Sequence, residues 1–179
     1  MKKFLWAMVL VVGINAFAAA AKPAFTPFRF DGGIGGGLLL PSEGAVGLIY
    51  LEPKYEIIPK LGIGLRFELS TGFFAGEEKV GMNVSYAGFL SADYHFNNNA
   101  FRPFAGGGVG VYIMQGAKID SNDVDADMSG NFSFFVRGGF DVHHFRLALT
   151  YTFQGEHLGQ IHQYIALNLG FYIGGGLKK

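Results

Sequence analysis

The sequence predicts an all-β fold: an eight-stranded antiparallel up-and-down transmembrane β-barrel preceded by a cleavable signal peptide. Three observations carry this reading. Apolar residues recur at every second position from Phe28 onward, no helical pattern interrupts them, and a short apolar run with a basic start precedes them. Period two is the signature of a strand, whose side chains alternate between faces, and eight antiparallel strands are enough to close a barrel.

The leader comes first. "MKK" is a basic start, "FLWAMVLVVGINAF" an apolar stretch, and "AAAA" offers small-residue cleavage sites. Residues 1–21 therefore read as a signal peptide and 22–179 as the barrel domain. The run is short for a membrane anchor and ends in small residues instead of a stop-transfer cluster.

The strands follow in order. In "FRFDGGIGGGLLL" one face holds Phe28, Phe30, Ile34, Leu38 and Leu40, the other Arg29, Asp31, Gly33, Gly35 and Gly37. "GLIYLEPKYEII" sets Ile49, Leu51, Tyr55 and Ile57 against Tyr50, Glu52, Lys54 and Glu56. "LGIGLRFELST" sets Leu61, Ile63, Leu65, Phe67 and Leu69 against Gly62, Gly64, Arg66, Glu68 and Ser70. Five further segments fall near 82–96, 101–114, 129–142, 145–154 and 163–174. Short connections (59–60, 97–100, 143–144) alternate with longer ones (41–46, 74–81, 115–128, 155–161), as an up-and-down sheet requires.

Alternation does not itself say which face is inside. The apolar face is too bulky and too aromatic for the narrow interior of eight strands. It also lacks Asp, Glu, Lys and Arg, as lipid contact demands, since a charge at the bilayer midplane costs roughly 2–4 kcal/mol. The other face balances Arg29, Lys54, Arg66, Arg102, Arg137 and Arg146 against Asp31, Glu52, Glu56, Glu68, Asp93 and Asp141. Confined charges need partners, which a solvated face does not. The polar face is therefore inside, and its arginines are expected to pair with its carboxylates. His95 is expected beside Asp93.

Glycine supplies 28 of the 179 residues, yet half the chain is hydrophobic, which argues against disorder. The two glycine clusters do not match a nucleotide loop: the spacing that begins at Gly33 ends on Leu38, and that from Gly106 ends on Val111. Inner-face Gly33, Gly35, Gly37, Gly62, Gly64, Gly106, Gly108 and Gly110 are expected to make room for long charged side chains and for inward Tyr50, Tyr112, Tyr164 and Tyr172. Outward glycines such as Gly36 and Gly107 are expected at bulges or strong curvature. Aromatic residues collect at the strand ends: Phe28, Tyr55, Tyr94, Phe96, Phe101, Phe140, Phe145 and Phe171 toward the short turns, and Phe73, Phe132, Phe134, Tyr151 and Phe153 toward the long loops. Two such girdles bracket the apolar band of a barrel in lipid.

"DYHFNNNAFRPFAGGGVGVY" and "VRGGFDVHHFRLALTYTF", behind the leader, resemble the small outer-membrane β-barrel proteins of the OmpA-transmembrane-domain and OmpX type. The resemblance spans about 25–175 and rests on patterns, not on fixed catalytic residues. It implies a place in the outer membrane, contact with outer-membrane lipid and with the barrel-assembly machinery, and an extracellular ligand reached through the loops. Such barrels usually finish on an aromatic residue, whereas here Phe171 and Tyr172 are followed by "IGGGLKK".

Chemistry is sparse. The chain has no cysteine, so it holds neither a disulfide nor a thiol metal site. Formal net charge is zero, which gives no reason to expect nucleic acid as a partner. Asp120, Asp123, Asp125 and Asp127 form an acidic loop, but the glycine and glutamate of a calcium-binding EF-hand loop are missing, so neither metal nor cofactor is expected. His157, His162 and Glu156 lie near the last long loop without the serine context of a lipid deacylase. The expected role is non-enzymatic: envelope integrity, adhesion or partner binding through the loops. A small-solute channel is the alternative, and a lipid-modifying enzyme a more distant one.

The long connections collect Glu43, Glu77, Glu78, Asp120, Asp123, Asp125, Asp127 and Glu156 against Lys79 and Lys118, while the opposite rim and termini hold Lys22, Lys60, Lys178 and Lys179. Long loops of such barrels face outward from the cell. Antibody or protease added to intact cells should therefore reach 115–128 and spare 97–100. The converse labelling would reverse the orientation.

Overall fold

The computed structural model describes residues 25–40, 44–75, 80–117, 126–157 and 160–175, with the side chains of 74–75, 80–83, 114–117, 126–129, 156–157 and 160–162 excepted. Residues 1–21, expected to form a signal peptide, lie outside this range, as do Glu43, Glu77, Glu78, Asp120, Asp123 and Asp125.

Eight strands follow in chain order: β1 (Phe28–Leu40), β2 (Gly44–Ile58), β3 (Leu61–Ala75), β4 (Val80–His95), β5 (Phe101–Ala117), β6 (Ala126–Val142), β7 (Phe145–His157) and β8 (Gln160–Gly174). Each pairs antiparallel with its sequence neighbours, and β8 returns to β1 from Arg29↔Gly174 to Leu40↔Gln163, closing the barrel. Closure leaves no edge strand, so the backbone polar groups of the wall are bonded within the wall.

The strands run further than side-chain alternation indicates. β5 and β6 remain paired through Gln115↔Met128, Gly116↔Asp127 and Ala117↔Ala126, so Asp127 lies in a strand and not in a loop. Glu156 likewise sits in β7, paired with Ile161. The ladder is built from backbone groups and continues where small or polar residues blur the apolar rhythm. The last connection, expected over 155–161, is thereby reduced to the two residues between His157 and Gln160.

Faces divide by charge. Among the described side chains of the strands, every Arg, Lys, Asp and Glu is buried in the interior. The outer wall exposes large apolar groups, among them Ile34, Leu38, Phe67, Leu90, Val111, Leu149 and Ile173. Aromatic rings meet at the rims, Phe101 with Phe140 and Phe145 with Phe171 near the short turns, and Phe134 stacked on Phe153 at the other end. Not every apolar residue faces out: Leu39, Val46, Leu48, Ala87, Phe89, Phe104 and Phe135 are buried inside.

Most of the inner glycines are spaces for neighbours; Gly62 is the exception, since a Cβ there would meet only Glu56 at an ordinary 3.8 Å. A Cβ at Gly106 would overlap the Asp93 carboxylate, one at Gly170 the Tyr50 hydroxyl, and one at Gly108 the Phe135 ring. At Gly37 and Gly110 the obstacle is the backbone of the adjoining strand. The outward glycines are another matter. Register is continuous through Gly36↔Gly47 and through Gly107, and the shifts fall instead at Glu56/Ile58 and Phe153/Glu156, so bulges do not account for Gly36 or Gly107. Gly155, with φ of 84°, lies in the second shift. No other atom comes within 4 Å of a Cβ built on Gly47 or Gly88.

These two environments predict opposite responses to one added methyl. Gly110→Ala places Cβ on the Gly88 carbonyl oxygen and should lower the urea midpoint of the folded barrel. Gly47→Ala meets nothing and should leave it unchanged or raise stability by about 0.5–1 kcal/mol, the usual strand cost of glycine. Equal midpoints for the two variants would contradict this.

Candidate functional site

The short-turn half of the barrel brings together charges from seven strands. β1 carries Arg29 and Asp31 two residues apart, which puts both on the inner face, and one arginine grips its neighbour through Nε at 2.5 Å and Nη2 at 3.1 Å. The same guanidinium reaches across to Asp141 on β6 at 2.6 Å and lies 3.5 Å over the Tyr172 ring of β8. Arg66 and Glu68 repeat the spacing on β3, at 2.9 and 2.7 Å.

Two carboxylates act as hubs. Asp93 on β4 accepts from Lys54 at 2.6 Å, from Arg137 at 2.8 and 3.0 Å and from Arg146 at 2.7 Å. Asp141 takes Arg146 at 2.8 Å together with Arg29, and His95 Nε2 lies 3.0 Å from it. His95 therefore pairs with Asp141, not with Asp93 two residues before it. A strand side chain stands roughly perpendicular to the sheet, which carries the imidazole into the lumen, where Asp141 meets it.

Glu52 on β2 links the hubs to the middle of the barrel. Arg137 holds both of its oxygens, at 2.8 and 2.6 Å, in the forked geometry that suits a guanidinium to a carboxylate. Ser91 donates to it at 2.6 Å, and Arg66 lies 3.7 Å away. Lys54 also bonds Asp31 at 2.8 Å. Glu68 accepts from the Tyr164 hydroxyl. A connected path thus runs from Tyr164 through Glu68, Arg66, Glu52, Arg137, Asp93, Arg146 and Asp141 to Arg29.

Arg102 and Glu56 stand at the margin. Arg102 donates to the Pro59 carbonyl at 2.9 Å and lies 3.9 Å from Glu56. Aromatic faces complete the cation shells, with Arg66 3.9 Å over Tyr50 and Arg146 3.9 Å over Phe104.

The long-loop half has another character. Ser70, Ser85, Ser133, Thr150, Thr152, Gln154 and Asn168 are all buried, and none is charged. Ser70 and Tyr112 share a hydrogen bond of 2.8 Å, and Asn168 donates to Thr150 at 2.7 Å. Alternation places Ser70, Tyr112 and Tyr164 of this layer on the inner face; Ser85, Ser133, Thr150, Thr152, Gln154 and Asn168 are the members it leaves unnamed, although their inward phase marks them. Among the described residues no group of three His, Asp or Glu side chains could hold a metal ion. Of the acidic-loop residues only the backbone of Asp127 is described, and the side chains of Glu156, His157 and His162 lie outside the described set.

No protein-family model and no curated relative matches this sequence. Solved structures do, among them small eight-stranded outer-membrane β-barrels. Neisserial surface protein A matches with a TM-score of 0.61 at 12% identity, over 82% of this chain and 96% of its own. The attachment invasion locus protein Ail of Yersinia pestis, solved with the heparin analogue sucrose octasulfate, gives 0.58 at 12% over 83% and 99%. The outer membrane enzyme PagL gives 0.54 at 15% over 80% and 98%. At these identities the likeness is one of fold.

Removing a hub should cost far more than removing a rim charge. Asp93→Ala strands Lys54, Arg137 and Arg146 without their shared acceptor, a loss of about 3–5 kcal/mol. Lys60→Ala removes only a 3.4 Å bond to the Phe96 carbonyl. Urea unfolding of the purified barrel should show a large drop for the first and about 0–1 kcal/mol for the second. Similar midpoints would mean that the network carries little stability.

Proposed function

We propose that this chain is exported by residues 1–21 and that residues 22–179 form an integral outer-membrane protein. Its barrel is a sealed, non-enzymatic anchor for extracellular loops that serve envelope integrity, adhesion or partner binding. The interior carries the proposal. Arg29, Asp31, Glu52, Lys54, Glu56, Arg66, Glu68, Asp93, Arg102, Arg137, Asp141 and Arg146 are all buried, and the uncharged layer toward the long loops is buried with them. A conduit needs a lumen that water can enter, and an eight-stranded barrel is filled by its own side chains.

The role of the loops rests on location and charge. Long-loop residues such as Asp120, Asp123 and Asp125 are acidic, so a cationic partner is favoured over a polyanion of the kind present in the Ail structure. Partners within the envelope are outer-membrane lipid along the wall and the barrel-assembly machinery during insertion.

Planar-bilayer recording tests the seal. The purified full barrel should insert without stepwise conductance. Disrupting the hub with Asp93→Ala should produce brief and irregular events instead of stable steps. Steady openings of the unmodified protein would refute the sealed interior and favour the small-solute channel.

A further inference from the structure

The outer wall is not uniformly convex. Neighbouring strands bring Ala92 of β4, Gly107 of β5 and Val136 of β6 into one lateral row, and Leu90, Val109 and Phe134 into the next. Ala92 and Gly107 project almost nothing, while the residues around them stand out. The result is a groove of about 550 Å³, floored by Ala92 and Gly107 and walled by Leu90, Val109, Phe134 and Val136. The floor cannot rise, because a Cβ on Gly107 would come within 2.8 Å of the Phe135 carbonyl oxygen.

On the far side of Val136 lies a second trough of about 280 Å³, between Gly138, Leu149, Tyr151 and Ile165. Val136 is the ridge that both share. Toward the long loops the larger trough is lined by Phe132 and Phe134, the latter stacked on Phe153. Beside it is a polar pair on the outer wall, Tyr151 donating to Gln163 at 2.5 Å.

We infer that this face seats one membrane lipid of the long-loop leaflet, its hydrocarbon chains lying astride Val136 and its polar portion near Tyr151 and Gln163. The inference rests on the outer-membrane reading above. Three features select this occupant. The floor of the larger trough spans β4 and β5 between Ile63 of β3 and Val136 of β6, three strand spacings of about 4.8 Å, which leaves width for more than one alkyl chain side by side. A second copy of the barrel would present a convex wall that touches the ridges and leaves both floors empty. The paired troughs suit a molecule with at least two chains, and the adjacent hydroxyl–amide pair supplies polar contact at the girdle, where headgroups begin.

The glycines allow a clean test. A Cβ on Gly138 meets nothing nearer than the Phe104 carbonyl oxygen at 3.9 Å, so Gly138→Leu can fill the smaller trough without disturbing the wall. Ala92→Leu fills the larger. Gly47→Leu, on the β1–β2 face where no atom lies within 4 Å of a Cβ, is the control.

The full-length protein and each variant would be expressed in a Gram-negative host, extracted from its outer membrane in mild detergent, and examined by native mass spectrometry. The unmodified barrel should retain a lipid. The double variant should retain about tenfold less or lower, as expected when both troughs are filled and the apolar contact they offer a chain is lost. Gly47→Leu should match the unmodified protein. If the double variant folds poorly, judged by heat-dependent mobility in electrophoresis, Gly138→Leu alone should still show reduced retention. Equal retention in all variants, or none in the folded unmodified barrel, would overturn the inference. So would cross-linking of Ala92→Cys to a second copy, which this cysteine-free chain makes easy to detect. Absence of the protein from the outer membrane would instead overturn the reading on which the inference rests.

Discussion

The return of β8 onto β1 is the constraint from which the other features of this molecule follow. In hydrocarbon an unpaired backbone amide or carbonyl costs several kcal/mol, so a sheet can enter lipid only as a closed ring. Here that ring has eight strands and pairs continuously from Arg29↔Gly174 to Leu40↔Gln163. Eight strands also fix the bore, which is narrow enough for side chains to fill. Every inward residue must therefore fit against residues from the opposite wall. Gly106 beneath Asp93 and Gly170 beneath Tyr50 are the steric form of that demand. The pairing of cations with carboxylates is its electrostatic form.

That pairing is collective. Asp93 has no single partner: Lys54, Arg137 and Arg146 all converge on it, while Arg146 also serves Asp141 and lies 3.2 Å from Asp31. Taking an isolated carboxylate and arginine out of water is seldom repaid by their attraction alone. A network in which Arg29, Lys54, Arg66, Arg137 and Arg146 each meet two or more anions, with Tyr172, Tyr50 and Phe104 over guanidinium faces, shares that desolvation among many contacts. The same sharing makes loss of a hub worse than loss of a marginal member such as Arg102, whose best acceptor is a backbone carbonyl. Rigidity follows as well, since no one member can leave without stranding several others.

The faces and strand order were legible because alternation is a local property. Arg29 and Asp31, or Arg66 and Glu68, are two residues apart, and a pleated strand must put both on one side. Longer-range partners were not legible. Arg137 meets Glu52 across 85 positions of sequence. That contact depends on the stagger between strands and on the tilt of the closed ring, neither of which alternation encodes. His95 illustrates the limit, since a neighbour by sequence was available and the lumen supplied Asp141 instead. Strand ends were misjudged where Gln115, Gly116 and Ala117 break the apolar rhythm while their backbones go on pairing. Inward Leu39, Val46, Leu48 and Phe104 were hidden by the assumption that apolar means outward. That assumption fails in the uncharged half of the lumen, where an apolar filler needs no partner.

A filled and rigid lumen also limits where selectivity can reside. Tyr164 and Asn168 are as buried as the charged hubs, so the uncharged half of the bore offers no more entry than the charged half. A ligand that cannot enter can be recognised only at the rims or along the outer wall. On that wall most positions present interchangeable branched side chains, to which one lipid is much like another. Discrimination requires relief, and relief in a β-wall comes from omitting side chains. Ala92, Gly107 and Gly138 supply it on one side of the barrel, and Gly36 paired with Gly47 on the other. The troughs and the polar pair Tyr151–Gln163 coincide on the first side. Glycine thus has two roles in this chain, set by which face it occupies: inside it yields to partners the fold already contains, and outside it shapes the surface the fold offers to molecules it does not contain.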